Sequence, residues 1–184
     1  MRKWVILLVA GIGALYPLHA VEDKPPEGVD WYETLNAAKA AALSKKLPVL
    51  IFCHDTTYEA SNKMHEFFRR ALLRTLCRHF VCLYLNQVYK REAYQQAYVP
   101  YLASVPTHNI RPPIVVICDK TLWPQKEFRI EGYCPEFERF ASNLEGALRK
   151  LAPEEFTKFI TERIPDAPWD ELTRRLEEHH MRTT

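Results

Sequence analysis

Glycine is scarce in this chain of 184 residues: five, against thirteen prolines. A loop that cradles phosphate needs glycines close together, and neither a G-x-G-x-x-G nor a Walker pattern occurs. An excess of one charge is also missing. Twenty-five Lys and Arg against 23 Asp and Glu leave a formal net charge of +2, too little to build the basic surface that nucleic-acid binding requires. No two of the five cysteines form C-x-x-C, and no histidines stand at H-x-x-x-H spacing. Neither a contiguous dithiol motif nor a short-range zinc site is therefore written in the chain. Repeats and low-complexity tracts are absent as well.

What is present is a globular composition, 47% hydrophobic and 26% charged, at a length that suits one domain with extensions. Arg2 and Lys3 precede an apolar run from Trp4 to Leu18, and His19-Ala20 supplies a small residue at a cleavage point. Residues 1–20 read as a signal peptide, so the protein is expected to be exported, periplasmic or secreted. The alternative is an uncleaved N-terminal anchor, for which the run is somewhat short; no other membrane contact is expected. Residues 21–30 read as a proline-bearing linker, 31–150 as the folded domain and 151–184 as a charged, helical C-terminal extension.

Within the domain, Asp30 and Glu33 have capping-box spacing ahead of the stripe Leu35, Ala38, Ala42, which predicts a first helix from Asp30. Pro48–Cys53 is a continuous apolar run of strand length, as a strand covered on both faces requires. Met64, Phe67, Phe68, Ala71, Leu72 and Leu76 predict one helix over 61–76. Phe80–Leu85 and Ile114–Cys118 read as further buried strands, with a helix over 89–102 between them. Phe128–Tyr133 alternates like an edge strand, and Pro135 opens a helix to Lys150 with Phe137, Phe140, Leu144 and Leu148 inward. The order predicts an α/β sandwich: a central mixed sheet with helices on both faces.

Trp31, Ala37, Ala41, Pro48-Val49-Leu50, Lys63-Met64, Phe80-Val81, Pro113, Asp119 and Gly132-Tyr133 together give the chain its likeness. It resembles the thioredoxin-like superfamily and, more loosely, the anterior-gradient branch of the protein disulfide isomerases. In that superfamily C-x-x-C opens a helix three residues before a Met or Leu. Counting back from Met64 places the two cysteine positions at Tyr58 and Ser61, so the motif reads Tyr58-Glu59-Ala60-Ser61. A thiolate at a helix N-terminus is stabilised by unpaired N–H groups; a phenol, with a pKa near about 10 and no sulfur, replaces it poorly. Ser61 cannot resolve a mixed disulfide, and its hydroxyl is expected to cap the helix. The resemblance also matches Phe52 to a buried acid and Pro113 to the cis-proline. Pro112 stands where a residue normally offers a backbone N–H to extended substrate, and proline has none.

The resulting expectation is an exported module without redox chemistry, needing no cofactor and no metal. It binds a protein or peptide partner through Tyr58, Glu59, Ala60, Pro112, Pro113 and Cys134. The alternative is a thiol–disulfide oxidoreductase or isomerase that uses a displaced cysteine, Cys134 beside the cap of the last helix or Cys53. A third reading gives the binding to the C-terminal helices. His54, Asp55 and His108 read as solvated loop residues, and Tyr94, Tyr98 and Tyr101 as helix packing.

Overall fold

The computed structural model describes residues 24–86 and 112–163. The signal-peptide reading, the helix over 89–102 with its tyrosines, His108 and the chain beyond Arg163 lie outside the described residues. Five strands form one sheet: β1 (Trp31–Tyr32), β2 (Val49–His54), β3 (Val81–Asn86), β4 (Ile114–Cys118) and β5 (Ile130–Glu131). Their order is β1-β3-β2-β4-β5. The first three run parallel, with β4 antiparallel to β2 and β5 antiparallel to β4. The helices are α1 (Leu35–Lys45), α2 (Glu59–Phe67), α3 (Ala71–Cys77), α4 (Phe137–Leu151) and α5 (Pro153–Arg163).

Every residue of β2, β3 and β4 is buried, which is why these runs are continuously apolar instead of alternating. Successive side chains still part to opposite faces. Val49, Ile51 and Cys53 join Val81, Leu83, Ile114 and Val116 in a core over Ala38 and Ala42 of α1. Leu50 and Phe52 face the other way, into a larger core with Phe68, which caps the end of α2, and Leu73, Phe140, Leu144 and Phe159 from α3, α4 and α5. His54 continues that second face to the strand end.

Two expectations about helices are corrected. The first helix starts at Leu35, with Thr34 as cap accepting from the Ala37 N–H at 3.3 Å. Residues 31–32 pair instead with Cys82 and Leu83 as an edge strand. The Trp31 indole is the physical reason: it packs on Phe52, Phe68 and Tyr84, and its Nε1–H donates to Pro26 O at 2.9 Å. A helical turn there would lift the ring off the sheet. The described part of the expected linker thus packs on the domain.

The helix expected over 61–76 is two helices. Backbone bonds shorten to i→i−3 at Phe68, Arg69 and Arg70, and Arg70 is extended. The break re-aims the stripe, so that Phe67 and Phe68 bury side by side before it and Leu73, Leu76 and Cys77 bury after it. One straight helix cannot turn Phe67, Phe68 and Leu73 to the same core. The last two helices pack on each other, and α5 also lies against α3, with Phe159 fully buried. Part of the expected extension therefore closes the core.

Candidate functional site

The C-terminal end of β2 runs through Asp55–Thr57 into α2. Tyr58 is the cap residue of α2 but makes no side-chain capping bond. The expected cap, Ser61, lies in the first turn, fully buried. Its Oγ accepts from the Asp55 N–H at 3.0 Å. That corrects the capping role: three residues inside the helix, the hydroxyl points back at the loop rather than along the axis. Asp55 Oδ1 in turn accepts from the Thr57 N–H at 2.8 Å and from its hydroxyl at 2.6 Å. Polar side chains therefore hold the loop closed on itself.

Behind this loop stands a polar group that the sequence reading assigned to solvent. His54 and Asp55 are both buried. Asn62 Nδ2 donates to Thr56 O at 3.2 Å, which turns its Oδ1 toward His54 Nε2 at 3.1 Å. The Nε2 must then carry the proton, and His54 Nδ1 accepts from the Tyr84 hydroxyl at 2.9 Å. His65 lies 5.2 Å from His54 between ring centroids and donates from Nε2 to Lys24 O at 3.0 Å. Burial and then the neighbouring His65 push the His54 imidazole down to about 4, against the Asn62 hydrogen bond and the Asp55 charge. Burial lowers His65 also, opposed by the Lys24 carbonyl. Both rings are neutral donors and acceptors near neutral pH. Among the described residues no three His, Cys, Asp or Glu groups converge as a metal site.

The outward surface is continuous. Glu59 pairs with Lys63 at 2.7 Å, and Lys63 lies over the Tyr133 ring at 5.9 Å. One residue back, Gly132 N–H donates to Pro113 O at 2.9 Å. The first turn of α2, the 132–134 turn and the start of β4 are thereby brought together. The structure places the expected face residues unequally. Tyr58 and Glu59 are exposed, Ala60 and Cys134 half-buried, and Pro112 and Pro113 buried, joined by a cis peptide bond. Tyr133, which the sequence reading did not assign to this face, is exposed on it.

No family model matches the sequence, and no curated protein matches it. Solved structures do match. A thioredoxin from Thermus thermophilus, determined in solution, superposes with a TM-score of 0.52 at 19% identity, over 68% of this chain and 91% of that one. A structure described as DsbH oxidoreductase gives a TM-score of 0.52 at 15% identity, over 72% and 92%. The fold is thioredoxin-like.

Tyr58 and Ser61, the positions that counting back from Met64 assigns to the redox motif, carry no sulfur. All five cysteines lie among the described residues and are free, four of them buried. Cys53 faces α1, on the opposite side of the sheet from α2. Its thiol is pushed up to about 12 by burial, with Arg129 opposing. As a displaced nucleophile Cys53 is corrected: strand alternation alone turns it away from the site. Cys118 shares that core and is likewise pushed up to about 12 by burial, then by Asp119 and Cys53. Cys134 stands two residues before the cap of α4, which is Glu136, and its Sγ contacts Glu136 O at 3.5 Å. It therefore lies outside the helix end that was expected to activate it.

Phe52, which the resemblance sets at the position of a buried acid, sits in an aromatic cluster with Trp31, Phe68 and Tyr84. No carboxylate replaces it from the strand. The buried polar residues that β2 and β3 themselves contribute at this end are instead His54 and Asn86, paired across the two strands. The signal for His54 was available in period two: Leu50, Phe52 and His54 share a face, and the first two are core.

Proposed function

We propose that the chain is an exported thioredoxin-like module that binds an extended protein or peptide segment and performs no dithiol–disulfide exchange. The observation that carries this reading is Ser61. At the position of the resolving cysteine stands a hydroxyl that is buried and already engaged by the Asp55 N–H. Nothing there can release a mixed disulfide. The binding surface would be Tyr58, Glu59 and Ala60 with Tyr133 and Cys134, where exposed tyrosines supply contact area at small entropy cost. Pro112 offers no N–H for strand-like docking, so recognition would rest on side chains rather than a backbone ladder. Export rests on the sequence of residues 1–20. Among the described residues, no helix is long and apolar enough to cross a membrane.

A second reading keeps Cys134 as a thiol nucleophile, because it is the one cysteine that is not buried. Two measurements separate the readings. In an insulin-reduction assay the full chain should not exceed the uncatalysed rate; turnover that vanishes in Cys134→Ser would establish the second reading. Titration of a reduced, permanently unfolded protein, followed by heteronuclear NMR, should move resonances of Tyr58–Ala60 and Tyr133–Cys134. Shifts confined to other surfaces would refute the proposed face.

A further inference from the structure

The thiols of Cys77 and Cys82 belong to neither reading of the site. Cys77 ends α3, and three residues, Arg78, His79 and Phe80, carry the chain into β3. The turn is tight: His79 N–H donates to Leu76 O and Phe80 N–H to Cys77 O, both at 3.1 Å. It folds the end of the helix back over the strand it leads into. Cys82 thus points at its own approach, and its Sγ contacts Cys77 O at 3.5 Å. Both side chains are buried in the same core, at 3% and 1% exposure. Burial, and then a hydrogen bond that the Cys82 thiol donates to the Cys77 side chain, push the Cys82 thiol well above the ordinary thiol range. The two thiols therefore share one core, the Cys82 sulfur lying against the Cys77 backbone and interacting with the Cys77 side chain, and only four residues separate them along the chain.

We propose that Cys77 and Cys82 are a latent disulfide pair, which closes when the chain folds in an oxidising medium and locks the end of α3 to β3. The oxidant is a disulfide of a second molecule, such as oxidised glutathione. The thiolate of one cysteine attacks it and expels one thiol. The second cysteine then attacks the mixed disulfide and expels the other. Two protein thiols lose two hydrogens, and one external disulfide becomes two thiols. Timing follows from burial. A protonated, enclosed thiol exchanges slowly, so the bond forms before the core closes, and once formed it is sheltered from reductants. It is a structural bond and supplies no turnover, which leaves the proposed binding face independent of it.

The lock reaches beyond the turn. His79 is buried between the two cysteines, and its Nδ1 meets Glu155 of α5 at 3.1 Å. Bracing residues 77–82 braces the seat of α5 as well.

The test refolds the full chain, carrying Cys134→Ser to prevent intermolecular pairing, from the reduced unfolded state in a glutathione redox buffer. Free thiols are alkylated, and non-reducing tryptic mass spectrometry follows. The expected result is one species in which the fragment containing Cys77 is joined to that containing Cys82, two hydrogens lighter than the separate peptides, with Cys53 and Cys118 alkylated. Unfolding in urea should then show a folding equilibrium constant on the order of several tens of times larger than for the reduced protein, as the closure of a short loop gives. The Cys77→Ser/Cys82→Ser double variant should lose that difference between oxidising and reducing conditions. Recovery of Cys77 and Cys82 as alkylated thiols, or of either joined to another cysteine, would overturn the proposal.

Discussion

His54 and Tyr84 meet across the parallel strands β2 and β3, the tyrosine hydroxyl donating to His54 Nδ1 at 2.9 Å, with Asn62 holding the opposite ring nitrogen at 3.1 Å. Both nitrogens are used by the neutral ring, so a proton on Nδ1 has no acceptor unless the tyrosine reverses. The consequence is acid lability with a definite window. The folded state holds His54 near about 4, whereas an unfolded histidine titrates near about 6.5. Above the unfolded value neither state binds the proton and the stability is whole. As pH falls from there toward 4, only the unfolded chain is protonated, and stability is lost. Below the folded value the loss is complete. The shift corresponds to about 3 kcal/mol as an upper bound, and the lowered His65 adds loss in the same direction. Urea unfolding at about pH 7 and about pH 4 should show the decline, and His54→Gln should remove much of it. An unchanged pH slope in that variant would put the acid lability elsewhere.

Ser61 bears on stability, since among the described residues its hydroxyl is the acceptor for the buried Asp55 N–H. Ser61→Ala leaves that donor orphaned, at a cost of about 1–3 kcal/mol. Hydrogen exchange at Asp55 is the direct readout. It should accelerate in the variant ahead of global unfolding, and unchanged protection would show that the loop is held without the hydroxyl.

The strands of the central sheet were legible because full burial writes itself as unbroken apolar runs: 48–53, 80–85 and 114–118 differ from β2, β3 and β4 by one residue at most. The features that escaped are those set by tertiary contact. Nothing local marks Trp31–Tyr32 as a strand; its partner is Cys82–Leu83, 51 residues along the chain. The break after Phe67 carries neither Pro nor Gly and follows from where two phenylalanines and Leu73 must point. β5 shrinks to two residues because residues 126–128 form a turn of 3₁₀ helix ahead of it. At the site, the positions of Tyr58 and Ser61 came from counting to Met64, but the burial of His54 and Asp55 did not. A polar pair after an apolar strand looks like a loop until α2 and the chain near Lys24 are seen to cover it.

The C-terminal helix bears on where the domain stops. Phe159 is fully buried and packs edge-on to the His79 ring at 5.9 Å between centroids. Phe159→Ala should therefore cost about 3–5 kcal/mol, the range for a large buried aromatic. Truncation after Leu151 should expose the same core and lower the thermal midpoint sharply. A truncated chain that melts like the full one would return α5 to the status of an appendage. If truncation unfolds the domain, partner capture lost with it says nothing about where the partner binds, and the exposed face of α5 must be tested by surface substitutions.

Restoring two thiols would reveal whether the frame alone supports dithiol chemistry. Tyr58 caps α2 and is exposed, which puts a side chain there at the positive end of the helix and within reach of solvent. A thiol at that position should ionise more readily than a free cysteine. Ser61 lies three residues on, in the same turn, so Tyr58→Cys/Ser61→Cys should close a reversible disulfide. Insulin reduction should then rise on the order of tenfold over the natural chain, limited by the buried seat of the second sulfur. The single variants separate the roles: Tyr58→Cys alone should trap mixed disulfides without turning over, and Ser61→Cys alone should react slowly. A double variant whose two thiols never pair would mean that counting back from Met64 misplaces the motif, and the vacancy at Tyr58 and Ser61 would lose its meaning.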